Sequence, residues 1–242
     1  MTNKNSNEVN IQKNYYNNTS HLYDKIHTYN ERDEHYFALS CLVGLIDHFK
    51  IESILDVGAG TGRAIKFLKK KFPKIKIIGI EPVKALREIA YSKGISNNVL
   101  IDGDATQINF KNAEFDLVCA FGILHHIKDN KLVVDEMLRV SKKGIYISDV
   151  NNFGSGSFFT RSLKQILHFF KLWKLVDFIK TKGKGYNISE GDGLAYSYSI
   201  FTNYKQIKSA CISVHTINTR DSNINHYRSS SHVALLGLKS DK

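Results

Sequence analysis

The hydrophobic pattern of this chain changes period near residue 50. Before it, Tyr36, Phe37, Leu39, Val43 and Ile46 recur at helical spacing, which predicts one or two helices within residues 21–50. After it, short continuous apolar runs at 54–57, 75–80, 99–101, 115–120 and 144–150 alternate with amphipathic stretches at 64–72, 83–92 and 130–140. Runs that stay apolar at every position belong to strands covered on both faces. The alternation therefore predicts βαβ units and a parallel sheet. Residues 211–218 and 233–238 read as two final strands. Between them and the fifth run lies an interruption: a Gly/Ser turn at 154–157, one basic amphipathic helix over 160–180, and a Gly-rich loop from Gly183 to Gly193. Residues 1–20 are polar and rich in Asn and are expected to be frayed.

Composition narrows the class. With 42% hydrophobic and 24% charged residues the chain can bury a core, which excludes disorder throughout. No run approaches the roughly 18–20 apolar residues that span a bilayer. Residues 1–18 hold seven Asn and no apolar stretch, so they do not read as a secretory signal. Cys41, Cys119 and Cys211 are odd in number and widely spaced, which suits reduced thiols in a cytoplasmic protein rather than a disulfide frame or zinc cluster. The net charge of +11 points to an anionic substrate, nucleic acid or a membrane surface, or simply to a lysine-rich solvated face.

The candidate chemistry begins at Asp56-Val57-Gly58-Ala59-Gly60-Thr61-Gly62, a glycine turn between a predicted strand and a predicted helix. Such turns sit at the carboxyl ends of open α/β sheets, where ligands bind. The third glycine comes one residue earlier than in the dinucleotide fingerprint, and Asp56 at its mouth would repel a pyrophosphate while suiting a cationic ligand. This disfavours a nicotinamide oxidoreductase. Glu81 ends the second run, before Pro82, where a carboxylate accepts hydrogen bonds from ribose hydroxyls. Asp104 and Ala105 follow the third run. A carboxylate beside a backbone N–H there can read an adenine edge.

In order and interval, residues 55–63, 78–82, 102–110 and 115–127 resemble class I S-adenosylmethionine-dependent methyltransferases, in the small-molecule branch with Leu124-His125-His126 after the fourth strand. The resemblance implies a Rossmann-like α/β fold: a seven-stranded, mostly parallel sheet with helices on both faces and the last strand antiparallel. It also implies N-terminal lid helices (1–50), a cofactor core (51–150), a substrate cap inserted after the fifth strand (151–210) and the two final strands (211–242). The implied cofactor is S-adenosylmethionine, with S-adenosylhomocysteine as product. Asp56, Gly58, Ala59 and Gly60 would line its methionine end, Glu81 and Pro82 the ribose, and Asp104 and Ala105 the adenine. Phe121 and Gly122 would flank it. Tyr15, Tyr16 and Tyr23 resemble N-terminal tyrosines that close over the cofactor.

His125 and His126 stand where the resemblance places the acceptor, with His125 the first candidate for a general base. Asp149, Asn151 and Asn152 end the fifth strand on the same rim and are expected to hold acceptor hydroxyls. His27, Glu31 and His35, spaced i, i+4 and i+8, share one helix face, but no metal is expected. Residues 161–184 carry seven Lys/Arg and one Asp, a net +6. That helix is expected to pack on the core with a basic outer or pocket face; a membrane-surface helix is the alternative. Arg161, Lys182 and Lys184 are expected to hold a phosphate or carboxylate, with Tyr186, Tyr196, Tyr198 and Tyr204 lining the pocket. The Gly183–Tyr186 and Glu190–Gly193 loops are expected to move over a ligand.

The late sequences Gly183-Lys184-Gly185-Tyr186 and Gly191-Asp192-Gly193-Leu194 are similar to methyltransferases of surface-polysaccharide biosynthesis, including O-methyl phosphoramidate modification. They imply a small anionic or sugar-linked acceptor, a monomer or dimer, and no stable nucleic-acid partner. An RNA-directed enzyme and a catalytically silent cofactor-binding subunit are the rivals. The first is weakened because Ala120-Phe121-Gly122-Ile123 replaces the Pro-Pro motif of base-amino methylation. Cys119, inside a predicted strand, reads as apolar filling.

Overall fold

The computed structural model describes residues 2–26, 33–220 and 225–240, and the side chains of 2–7 and 22–26 lie outside that description. In chain order, α1 (Thr2–Ile26) and α2 (Glu34–His48) lead into β1 (Ser53–Val57), α3 (Arg63–Lys71), β2 (Lys76–Ile80), α4 (Lys84–Ser92) and β3 (Leu100–Ile101). Then come β4 (Phe115–Phe121), α5 (Asn130–Val140) and β5 (Ser141–Val150). The insertion holds α6 (Phe158–Phe169), α7 (Trp173–Lys180), β6 (Tyr186–Ser189) and β7 (Gly193–Tyr196). The chain closes with α8 (Tyr204–Ala210), β8 (Ser213–Asn218), α9 (His226–Ser229) and β9 (His232–Leu238).

Seven strands form one sheet in the order β3-β2-β1-β4-β5-β9-β8. The first five pair in parallel, and β9 runs antiparallel between β5 and β8. Alternate residues of each strand feed two cores. Leu55, Val118, Ala120 and Ile145 pack with α5, while Ile54, Cys119 and Tyr146 pack with α2 and α3. This period of two explains why the strand runs are apolar throughout.

Three expectations change. Residues 2–26 are a single helix rather than a frayed tail. The tail is poor in helix formers, so tertiary contacts hold it: Glu8 is buried against Lys128 Nζ at 3.0 Å and the Tyr196 hydroxyl at 2.8 Å. The basic helix at 160–180 is two helices, broken at Lys171, whose φ of +61° is left-handed. No Gly or Pro marks that break. The Gly-rich loop at 183–193 is a two-stranded hairpin, β6 with β7.

Neither α6 nor α7 has a buried residue, and the pair rests on the core through half-buried contacts, Gln165 on the Phe153 carbonyl and Trp173 on Ser197 and the Phe153 ring.

Candidate active site

The parallel strands end at one rim, and the residues at their ends line a single cleft of about 190 Å³. Gly58 follows β1, Glu81 and Pro82 follow β2, Asp104 and Ala105 follow β3, and Phe121, Gly122 and His126 lie at the end of β4 and beyond. Helix α1 covers the cleft with Val9, Gln12, Lys13 and Tyr16. Ligand pockets usually measure about 300–1,000 Å³, so this cleft, with α1 along one side, is narrow.

Gly58 shows why the loop needs glycine. Its φ is +71°, and a Cβ there would lie 2.5 Å from Ile123 Cγ2. Glu81 is 5% exposed, and its two carboxylate oxygens accept from Gly60 N at 3.0 Å and Val83 N at 2.9 Å. Burial nevertheless pushes its pKa up to about 7. Asp104 accepts from Thr106 N and Oγ1 through Oδ1, which orients the carboxylate at the cleft. Asp56 is also buried and raised to about 7, mainly by desolvation. It lines a smaller adjoining cavity with Ala59, Thr61 and Arg63 that meets the main cleft at Gly58 and Phe121. Gly60 donates to Glu81 rather than lining the cleft itself.

The histidine pair divides its work. His125 turns into the wall, where Nδ1 lies 2.7 Å from Asp149 Oδ1 and Nε2 lies 3.4 Å from Asp192. Burial opposes its charge, but the two carboxylates outweigh burial and raise its pKa to about 10. His126 lines the cleft. Its Nδ1 donates to the Leu194 carbonyl at 2.7 Å, and Nε2 sits 3.3 Å from the Tyr16 hydroxyl and 3.4 Å from Asp192. Burial and the neighbouring His125 cation lower its pKa. His125, His126 and Asp192 together offer three convergent ligand atoms, as do Glu34, His35 and His232 among the described residues.

The hairpin and α1 lock together over this end. The Tyr15 hydroxyl accepts from Gly191 N at 2.6 Å, Tyr16 donates to the Asp192 carbonyl at 3.3 Å, and Gln12 Oε1 accepts from Leu194 N at 2.6 Å. Gly193 permits this approach: its φ is +74°, and a Cβ would stand 2.7 Å from Gln12 Oε1.

Several expected site residues lie elsewhere. Asn151 is fully buried, and its amide donates to the carbonyls of His226, Tyr227 and Ser230, so it ties β5 to α9 instead of facing an acceptor. Asn152 bonds to Ser197 and Lys164. Tyr198 is buried with its hydroxyl on Asn203. Arg161 donates to the Gly156 carbonyl, Lys184 is exposed in the turn before β6, and neither lines the cleft. Tyr186 pairs with Tyr196 across the hairpin, and Tyr196 reaches Glu8. Cys119 is buried within β4, as a filling residue would be. The Tyr23 side chain, His27 and Glu31 lie outside the described residues. Sequence reasoning missed Glu8 and Gln12, which nothing local marks. It placed Asp149 on the rim, but gave it the acceptor rather than His125.

Residues 55–148 match the family described as a methyltransferase domain. Over 103 residues the chain is 34% identical to the demethylmenaquinone methyltransferase of Thermotoga maritima, a match covering 42% of this chain and 44% of that protein. The chain spans between a third and a half of the length of the first curated relatives it matches. Among solved structures, a possible histamine N-methyltransferase of Thermotoga maritima has a TM-score of 0.59 at 21% identity, covering 96% of this chain and 99% of that one. The magnesium protoporphyrin IX methyltransferase of Synechocystis PCC 6803, solved with bound S-adenosylhomocysteine, scores 0.62 at 14% identity, covering 96% and 100%. The seven-stranded sheet with its antiparallel β9 is the fold of S-adenosylmethionine-dependent methyltransferases. The cleft fits that cofactor: a glycine cradle too tight for a Cβ, a buried carboxylate after β2 and an oriented one after β3.

Proposed function

We propose that this chain methylates a small-molecule acceptor at oxygen, using S-adenosylmethionine. The observation that carries this reading is the one cleft that joins Gly58, Glu81 and Asp104 to His126. Glu81 and Asp104 would hold ribose and adenine. Asp56 and Gly60 support the methionine end from beside the cleft. The cofactor supplies a methyl group already electrophilic on its sulfonium. What the chain adds is alignment and exclusion of water, the second through α1 and the β6–β7 hairpin.

His126 is the base in this reading. The Leu194 carbonyl can only accept, so the neutral ring keeps its proton on Nδ1 and its lone pair on Nε2, the atom beside the Tyr16 hydroxyl and Asp192. The lowered pKa keeps that form dominant at neutral pH. His125, raised to about 10, is a cation there and holds Asp192 over the site.

For the acceptor we infer a sugar or phosphorylated precursor of surface polysaccharide, phosphoramidate included, modified in the cytoplasm. This rests on the late Gly-Asp-Gly-Leu sequence, whose Asp192 faces the histidine pair. Asp149 and Asp192 make that end acidic, which favours an acceptor presenting a hydroxyl there with its anionic group elsewhere.

Methyl-labelled S-adenosylmethionine and fractionated extract test the reading. Label is expected in the nucleotide-sugar fraction. His126→Ala should cut kcat by about 10²-fold or more and leave S-adenosylhomocysteine affinity unchanged. Label in nuclease-sensitive polymer, or cofactor binding without turnover, would overturn it.

A further inference from the structure

We propose that the α6–α7 face is a docking surface for an anionic lipid bilayer. Among the described residues, ten of the fifteen exposed large apolar side chains fall between Phe158 and Ile179. The other five are scattered singly, which is ordinary for a protein surface. On α6, Phe159, Leu163, Ile166 and Phe170 follow one another at i, i+4, i+7 and i+11 and form one stripe. Leu172, Leu175 and Ile179 recur at i, i+3 and i+7 at the start of α7 and along it, and are likewise exposed. Phe159 is 83% exposed and Ile179 67%. An apolar patch this concentrated marks an interaction surface.

The charge around the stripe says what covers it. Lys171, Lys174, Lys180, Lys182 and Lys184 are all exposed, while Asp177 is the only acid from 158 to 184 and is half-buried. Aromatic and aliphatic side chains between lysines are the composition of a helix lying in a membrane interface, with ammonium groups on lipid phosphates. A two-fold pairing of two copies through this face would set lysines against lysines, so the charge favours an anionic surface over a second copy. Ile166, Phe169, Phe170 and Tyr227 also line a shallow open groove, with Ser162, Gln165, His168 and Arg228. No described helix is long and apolar enough to cross a membrane, so α6 and α7 would lie on the bilayer.

The proposal goes beyond the methyl-transfer reading and does not depend on it. Co-sedimentation of the intact protein with phosphatidylcholine vesicles, with and without phosphatidylglycerol, tests it. Binding is expected only with phosphatidylglycerol and should fall as salt rises. Lys171→Gln and Lys174→Gln should each weaken binding about fivefold, and Phe159→Ser with Phe170→Ser should abolish it. All four positions are exposed, so unchanged far-ultraviolet circular dichroism and S-adenosylhomocysteine affinity would certify the fold. Absence of binding to anionic vesicles, equal binding to neutral ones, or unaltered binding by the Phe variants would overturn the proposal. A wild-type dimer that the Phe variants convert to monomer, with no vesicle binding, would assign the face to self-association instead.

Discussion

Two buried carboxylates, Glu81 and Asp56, are held near neutrality by the loss of water around them, each raised to about 7. For Glu81 this has a consequence in binding. Only its ionised form is an acceptor for two hydroxyls through all its lone pairs. Cofactor affinity is therefore expected to rise between pH 6 and 8 as Glu81 deprotonates. In Glu81→Gln that rise should vanish, with affinity about tenfold lower at pH 8. Calorimetric titration with S-adenosylhomocysteine across that range checks it, and a wild-type affinity independent of pH would remove the role. The residue was visible in the chain because it ends an apolar run next to Pro82. Its raised pKa was not visible, because burial depends on what α1 and α4 place above it.

At the scale of elements, α1 decides access. Tyr15 and Gln12 bond to backbone groups of the hairpin, and Tyr16 bridges it to His126. Nothing in the amphipathic pattern announces this, since the contacts are polar side chains meeting a backbone far away in sequence. With α1 lining the narrow cleft, these contacts are expected to slow the passage of cofactor and to help exclude water. Tyr15→Phe removes one latch without emptying space. It should speed cofactor release about fivefold to tenfold with little change in melting temperature, as stopped-flow displacement would show. Unchanged release would mean that α1 is not the gate. The same scale holds the break at Lys171: the helical period runs through it, and only the tertiary path of the chain forces the turn.

Across the whole molecule, one ion-paired chain joins three remote segments: Asp149 on β5, His125 after β4, and Asp192 in the hairpin. His125 has a folded pKa raised from 6.5 to about 10. A raised pKa stabilises fully below the unfolded value and loses that contribution as pH climbs through the folded one. The stability gap between the protein and His125→Gln should therefore be largest below pH 6.5 and shrink toward pH 10. Asp149, lowered by His125, sets the opposite limit: its contribution fades as pH falls below the usual carboxylate range. Asp149→Ala should cost about 3 kcal/mol near pH 7, because it takes the nearer of two carboxylates from a buried cation. Denaturant melts across pH would measure both, and a pH-independent gap would show that His125 is neutral in the folded protein.

The alternation of strands and helices, the order of the ligand-facing residues and the glycine turn were legible in the chain itself. Each depends on a short local period or on a residue at a strand end, and a parallel sheet brings all strand ends to one rim. Tertiary structure alone decided the rest. It turned His126 to the cleft and His125 to Asp149, sent Asn151 and Tyr198 into the core, and left Arg161 and Lys184 away from the cleft. It also supplied the polar contacts that hold the expected N-terminal lid to the hairpin, and left α6 and α7 with their apolar side chains outward. These outcomes depend on which distant segments approach one another, and a pattern read along one segment carries no record of its partners.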